Sequence, residues 1–475
     1  MATHYPLMIP GTSETAEPEA VFSPYTGEQI ATVARADEQQ VELALNTAHE
    51  LFRDRDQWLP LQQRVEILEA TAVLMAEHFD ELANGAAQEG GKPLLDSRVE
   101  VQRAIDGVKL CVEHIAQHAG GVVPMPLADR MAFTQKEPIG VVVAVSAFNH
   151  PLNLIVHQVG PAIAAGCPVI VKPAHDTPIS CVRFVELLHR AGLPPQWCQV
   201  VMPTTLELAT ALVSDKRVGF FSFIGSSRVG WMLRSKLAPG TRCALEHGGA
   251  APVIVDASAD LGKLIPSLLK GGFYHAGQVC VSVQRVYVPN ALLQKVAEQL
   301  AKGASKLAVG DPLDDATEVG PLIRAAEVER VHQWVQEAQQ QGARLKAGGK
   351  ILGNNCYAPT VLVNPPDDAQ VSTQEVFGPV VCLYGYNKLD EAIRRANSLD
   401  VAFQAAVFSQ DIDRAMTICY WLDASAVMIN EHTAFRHDGM PFAGLRHSGL
   451  GVGGIGHTID EMQIDKMTVI RVTSH

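Results

Sequence analysis

Three short apolar runs, each closed by a polar or glycine-bearing loop and then a helix-like stretch, constrain this chain more than any other feature. Residues 141–147 are small and β-branched and end in Phe148-Asn149-His150-Pro151-Leu152-Asn153. Residues 168–171 end in Lys172-Pro173-Ala174-His175, and residues 218–224 in Gly225-Ser226-Ser227-Arg228-Val229-Gly230. Strands buried on both faces read as continuous apolar runs, and in parallel α/β sheets they alternate with helices. Ligands bind beyond the carboxyl ends of such strands, so the three loops are expected to converge on one crevice.

The stretch 245–282 supplies the chemistry such a crevice needs. Glu246-His247-Gly248-Gly249 precedes an apolar run at 252–255, and Cys280 follows in Gly277-Gln278-Val279-Cys280-Val281, 34 residues after Glu246. A thiolate is a good nucleophile for a carbonyl carbon, and a partly buried glutamate can take a proton from a thiol or a water. Taken singly, the cysteine also reads as an inert core thiol and the glutamate as a solvated turn residue. The Gly225-Ser226 string is looser than the compact dinucleotide fingerprint. A pyrophosphate is expected at Ser226 and the start of the next helix, with a plain strand-to-helix turn as the alternative.

The rest of the chain reads as scaffold. A strand and turn are expected over 6–24, and Asp37 is placed to cap a helix. An amphipathic helix is expected over 61–82, from Val65, Leu68, Ala72, Met75 and Phe79 at three- and four-residue steps, and another over 97–118. Val200 and Val201 read as strand and 206–213 as helix. Further on come helices at 291–300 and 325–341, a turn at Gly310-Asp311-Pro312 and a strand at 360–363. Residues 120–138 break the pattern with Val123-Pro124-Met125-Pro126 and an alternating Met131-Ala132-Phe133-Thr134, which read at least as a surface hairpin.

Composition excludes several classes. The formal charge of -13 argues against nucleic acid or an anionic membrane as partner, since tracking phosphates needs a basic excess. No apolar run reaches the roughly 18 residues of a spanning helix, and the N-terminus lacks the basic flank and apolar core of a secretory signal. The nine cysteines have no paired metal-ligand spacing and an odd count, so no metal is expected, and the thiols other than Cys280 are expected to be buried in a cytoplasmic protein.

Asn149, Lys172, Gly225-Ser226, Glu246-His247-Gly248-Gly249, Gly277-Gln278-Val279-Cys280, Glu375-Val376-Phe377-Gly378-Pro379 and Pro441-Phe442-Ala443-Gly444 stand in an order and near a spacing that resembles the aldehyde dehydrogenase superfamily. The resemblance covers essentially the whole chain. It implies an α/β fold with a Rossmann-type cofactor domain (1–118, 139–248 and 447–461), an α/β catalytic domain (249–446) and a β oligomerisation arm (119–138 and 462–475). The arm in turn implies a homodimer or homotetramer.

The resemblance also assigns roles. Cys280 attacks the aldehyde, Asn149 and the Cys280 backbone N–H face the oxyanion, and Glu246 activates water to hydrolyse the thioester. Members that pass the acyl group to coenzyme A generally lack that glutamate, so a free acid is the expected product. An acylating or phosphorylating dehydrogenase, or a non-catalytic binding protein of the same fold, is the alternative. Lys172 is implied at the adenosine ribose, Gly225 and Ser226 at the pyrophosphate, and Glu375 and Phe377 at the nicotinamide ribose and ring. His175 replaces a glutamate that in many NAD-preferring members repels a 2′-phosphate, so NAD or NADP is expected. Arg103 and Arg436 stand where arginines of relatives grip the distal acid of small aldehydes. Val279 replaces an arginine found in relatives that act on phosphate-bearing substrates. A small polar or anionic aldehyde is therefore expected: succinic semialdehyde, a sulfonated aldehyde or one resembling lactaldehyde.

Overall fold

The computed structural model describes residues 3–117 and 119–472. Its first large sheet has the strand order Gly449–Leu450, Arg242–Glu246, Val218–Ile224, Val141–Val145, Val169–Lys172, Cys198–Val200, all parallel except the short first strand. The chain runs outward from Val141–Val145 to one edge, then returns to Val218–Ile224 on its other side. This reversal opens a crevice between the two central strands at their carboxyl ends. Phe148-Asn149 and Gly225-Ser226 are the loops that leave those two ends. Val141, Val142, Val143 and Ala144 are completely buried, which is why that run carries no polar alternation.

A second sheet of seven strands runs Arg344–Ala347, Thr360–Val363, Val380–Tyr386, Val283–Pro289, Ala251–Val255, Gln404–Phe408, Ala426–Ile429. Only the edge strand Arg344–Ala347 is antiparallel. Between Ala251–Val255 and Val283–Pro289 the chain crosses through the helix Leu261–Phe273, and Cys280 lies just before the second of these strands. The helices Asn290–Ala304 and Ala325–Gln340 pack against this sheet through Val296, Leu300, Val331 and Val335, all fully buried.

A third, three-stranded sheet joins distant parts of the chain. Arg130–Pro138 pairs antiparallel with Gln463–Arg471 over nine residues, from Gln463 opposite Pro138 to Arg471 opposite Arg130, and Val122–Val123 adds a short third strand. The expected arm is thus a sheet, with its last residues, 473–475, outside the described part. Gln463–Arg471 is an edge strand, and Met467 and Val469 on it are about half exposed.

The expected helix over 61–82 is two helices, Leu61–Glu77 and Phe79–Gly90, hinged at His78. The His78 amide returns to Leu74 while the His78 carbonyl accepts from Leu82, so the apolar spacing runs on through a change of direction. The expected 97–118 helix starts earlier, at Leu94 directly after Pro93, and ends at Ile115; His118 lies outside the described residues. At the N-terminus the strands are Thr3–Tyr5 and Glu19–Phe22, because Pro6, lacking an N–H, ends the first.

Candidate active site

The loop that carries Cys280 is folded back on itself. After Leu261–Phe273, three consecutive residues take left-handed backbone angles: His275 (φ 46°), Ala276 (φ 53°) and Gly277 (φ 71°). Two of them are not glycine and bear a cost of about 1 kcal/mol each. At Gly277 a β-carbon would lie 2.1 Å from the Gly378 carbonyl oxygen, so no other residue fits. Gln278 holds the turn: its Nε2 donates to the His275 and Pro321 carbonyls and its Oε1 accepts from the Ile323 N–H at 2.9 Å. Thr433 Oγ1 donates to the Val281 carbonyl at 2.6 Å. A loop held at this many points presents Cys280 from a fixed backbone.

Asn149 reaches this loop from the other sheet. Its Nδ2 donates to the Gln278 carbonyl at 2.9 Å, which fixes the amide plane, and Asn149 lines the same cleft as Cys280. Glu246 ends the strand Arg242–Glu246 in the same cleft. Burial lifts its carboxyl to about 7, Glu461 adding to the rise and Arg436 opposing it. Burial likewise pushes the Cys280 thiol well above its ordinary value, helped by the charges of Glu375 and Glu246 and opposed by Arg436. The resting pair is therefore a neutral thiol and a carboxyl poised near neutrality.

On the dinucleotide side, the polar groups lack the partners that a bound ligand could supply. Glu375 Oε1 is buried without a hydrogen-bond partner, directly over Gly248, where a β-carbon would lie 1.7 Å from it. Lys172 Nζ donates to the adjacent Pro173 carbonyl, and burial lowers its pKa to about 8. Ser146 Oγ is also buried and unpartnered in the cleft wall. Ser226 precedes the helix Ser227–Arg234 without capping it, so the first-turn N–H groups there have no side-chain acceptor. His175 stands in the cleft near Lys172, whose charge joins burial in keeping the imidazole neutral. These groups fit a dinucleotide: unpartnered donors where an anion would lie, and a buried carboxylate where a ribose diol would.

On the other side of Cys280, the two arginines differ. Arg103 gives both edges of its fork to Asp438, Nε at 3.0 Å and Nη2 at 2.6 Å. Asp438 also accepts from His157 Nε2 at 2.8 Å and Asn153 Nδ2 at 3.3 Å. Although burial alone would raise it, the His157 and Arg103 bonds hold that carboxyl far below the usual range. Arg103 is thereby neutralised within the protein. Arg436 instead donates to the carbonyls of Met440 and Pro441 and stacks over Phe442 at 4.2 Å, with no ion-pair partner among the described residues. Burial lowers its pKa only to about 10, so it stays a cation at neutral pH.

All eleven residues singled out from the sequence line one cleft of about 1160 Å³: Cys280, Glu246, Asn149, Lys172, His175, Gly225, Ser226, Glu375, Phe377, Arg103 and Arg436. Asp438, His157 and Asn153 were missed. Asn153 and His157 are four apart on the helix Asn153–Ala165 that follows Asn149, a spacing that puts both on one face. That spacing was the available signal. Asp438 gave none, because its three partners lie 281 to 335 positions away.

A model described as the aldehyde dehydrogenase family matches residues 11–468. A 3-sulfolactaldehyde dehydrogenase of Priestia megaterium is 38% identical over 473 residues, covering 98% of each chain. The NADP-dependent succinate-semialdehyde dehydrogenase of Escherichia coli is 34% identical over 446 residues, 93% of this chain and 92% of that one. Among solved structures, aldehyde dehydrogenase 21 of Physcomitrella patens in complex with the product succinate superposes with a TM-score of 0.95 at 32% identity, covering 99% of both chains.

Proposed function

The chain belongs to the aldehyde dehydrogenase family, and from that premise we propose that its substrate is a short aldehyde with a distal carboxylate or sulfonate, gripped by Arg436. It is an NAD(P)-dependent oxidoreductase acting on aldehydes. The observation that carries the substrate reading is the charge count in the substrate half of the cleft. Arg103 and Asp438 pair with each other, whereas Arg436 is a part-buried cation whose hydrogen bonds go to backbone carbonyls and which has no ion-pair partner among the described residues. A desolvated charge of that kind gains most from a partner that brings the opposite charge. Relatives that act on sulfolactaldehyde and succinate semialdehyde agree with an anionic head group. Val279 packs with Val281 and Phe403, so position 279 supplies no cation for a phosphate.

In the reading of the site, Glu246 takes the thiol proton and releases it before hydrolysis, the Cys280 sulfur adds to the carbonyl carbon, and the oxyanion is met by the Cys280 N–H and the Asn149 amide. Each such donor contributes about 3–4 kcal/mol in the transition state. The nicotinamide, when bound, supplies the acceptor for hydride. Lys172, Gly225, Ser226, Glu375 and Phe377 would hold the dinucleotide, and no carboxylate at position 175 opposes a 2′-phosphate. Glu246 then takes a proton from water as it attacks the thioester, releasing the acid. Its presence favours hydrolysis over transfer to coenzyme A.

The half-exposed apolar edge strand Gln463–Arg471 supports self-association to a homodimer or a pair of dimers, since an open strand edge is a template for another chain. Among the described residues, no helix is long and apolar enough to cross a membrane. All nine cysteines are free, which supports a cytoplasmic setting.

The substrate reading is tested with succinic semialdehyde, a sulfonated short aldehyde, lactaldehyde and a neutral alkanal, each with NAD and with NADP. The anionic aldehydes should have the higher kcat/KM, and Arg436→Ala should cost them about 100-fold more than it costs the alkanal. Equal loss on all substrates, or a preference for the alkanal, contradicts it.

A further inference from the structure

We propose that Glu461 is the group to which Glu246 passes the hydrolytic proton, so that the proton leaves through the back of the site rather than through the substrate cleft. The inference rests on the reading of Glu246 as the hydrolytic base. Hydrolysis consumes the thioester and one water: the water oxygen bonds to the acyl carbon, the C–S bond breaks, and carboxylate and Cys280 thiol are released with one proton in excess. Glu246 must discard that proton before the next turnover. On the cleft side it faces Arg436, a cation that cannot accept it, and the Cys280 thiol.

Behind Glu246 lies a different neighbour. The strand Arg242–Glu246 pairs with Gly449–Leu450, and the chain continues as Gly451-Val452-Gly453-Gly454 between two carboxylates. On one side a β-carbon at Gly453 would lie 2.0 Å from Glu246 Oε1. On the other, a β-carbon at Gly451 would lie 2.8 Å from Glu461 Oε1, which accepts the Val452 N–H at 2.9 Å. Gly453 and Gly451 thus make room for Glu246 and Glu461 on the same short segment, and a side chain at either glycine would push one carboxylate away. Glu461 Oε2 is buried with no partner among the described residues, leaving a free acceptor.

Glu461 also lines a second cavity of about 670 Å³ that contains none of the residues assigned to the reaction. Around it stand Cys243 on the same strand as Glu246, Arg234 at the end of the helix Ser227–Arg234, and Arg242. A proton arriving at Glu461 therefore has an exit into a cavity separate from the substrate cleft. Burial raises the carboxyls of both Glu461 and Glu246, so each holds a proton more readily than a solvated carboxylate does.

The test follows decay of the acyl-enzyme by rapid quench. Glu461→Gln should form the acyl-enzyme at the wild-type rate and hydrolyse it about tenfold or more slowly, with Glu461→Asp recovering part of the loss. The pH midpoint of the residual hydrolysis should fall, because a negative charge facing Glu246 is gone. In the wild type, hydrolysis plotted against pH should follow two coupled ionisations rather than one. If Glu461→Gln does not fold, that profile decides, and a single ionisation overturns the inference. A wild type that forms an acyl-enzyme while Glu461→Gln hydrolyses it at an unchanged rate and midpoint contradicts this inference alone. A wild type that forms none contradicts the parent reading and this one with it.

Discussion

Glu246 and Cys280 share one environment that pushes both toward their neutral forms, and this fixes how the site responds to pH. The carboxyl lies at about 7, raised first by burial, and a general base works only when ionised. The hydrolytic phase should therefore rise as pH increases through about 7 and level off above it. Stopped-flow measurement of that phase between pH 5 and pH 9 checks the sign; a rate falling with pH in that window contradicts the assignment. Both residues stood out in the sequence because Glu246-His247-Gly248-Gly249 and Gly277-Gln278-Val279-Cys280 resemble the family's strings, whereas taken singly each also reads as an ordinary core or turn residue. Asp438 did not stand out, because only the folded chain brings Arg103, Asn153 and His157 to it. For the pair of arginines read from the sequence, the cleft position of both was legible, but not the pairing of Arg103 with Asp438.

At the scale of elements, glycines at close approaches decide the shape of the cleft. Gly248 leaves room for Glu375, whose Oε1 lies where a β-carbon would be. Gly248→Ala should displace that carboxylate and weaken cofactor binding about tenfold, or 1.4 kcal/mol, with an unchanged far-ultraviolet spectrum. Titration of NAD or NADP by protein fluorescence reads this directly, and wild-type affinity contradicts it. The parallel strands were readable from their unbroken apolar runs, whereas the hinge at His78 was not. No proline or glycine marks it, and the apolar spacing of 61–90 runs across it. The left-handed turn at His275 and Ala276 was equally hidden, since neither residue type announces that geometry.

For the whole molecule, the strand pairing of 130–138 with 463–471 couples the middle of the chain to its end and leaves an apolar edge. Lysine at Met467 and Val469 together should split the assembly to smaller species in sedimentation velocity at micromolar concentration, because charges on an edge strand oppose pairing. A wild type already monomeric and active would contradict the assembly proposal. The central claim is that Cys280 carries the acyl group and Glu246 removes it. It is tested most directly by mixing the Glu246→Gln enzyme with NAD(P) and the best anionic aldehyde, quenching in acid and weighing the peptide that contains Cys280. About one equivalent of reduced cofactor per site should form, with the acyl mass on that peptide persisting long after the wild type has cleared it. Turnover at the wild-type rate, or an acyl mass on any other peptide, would contradict the account.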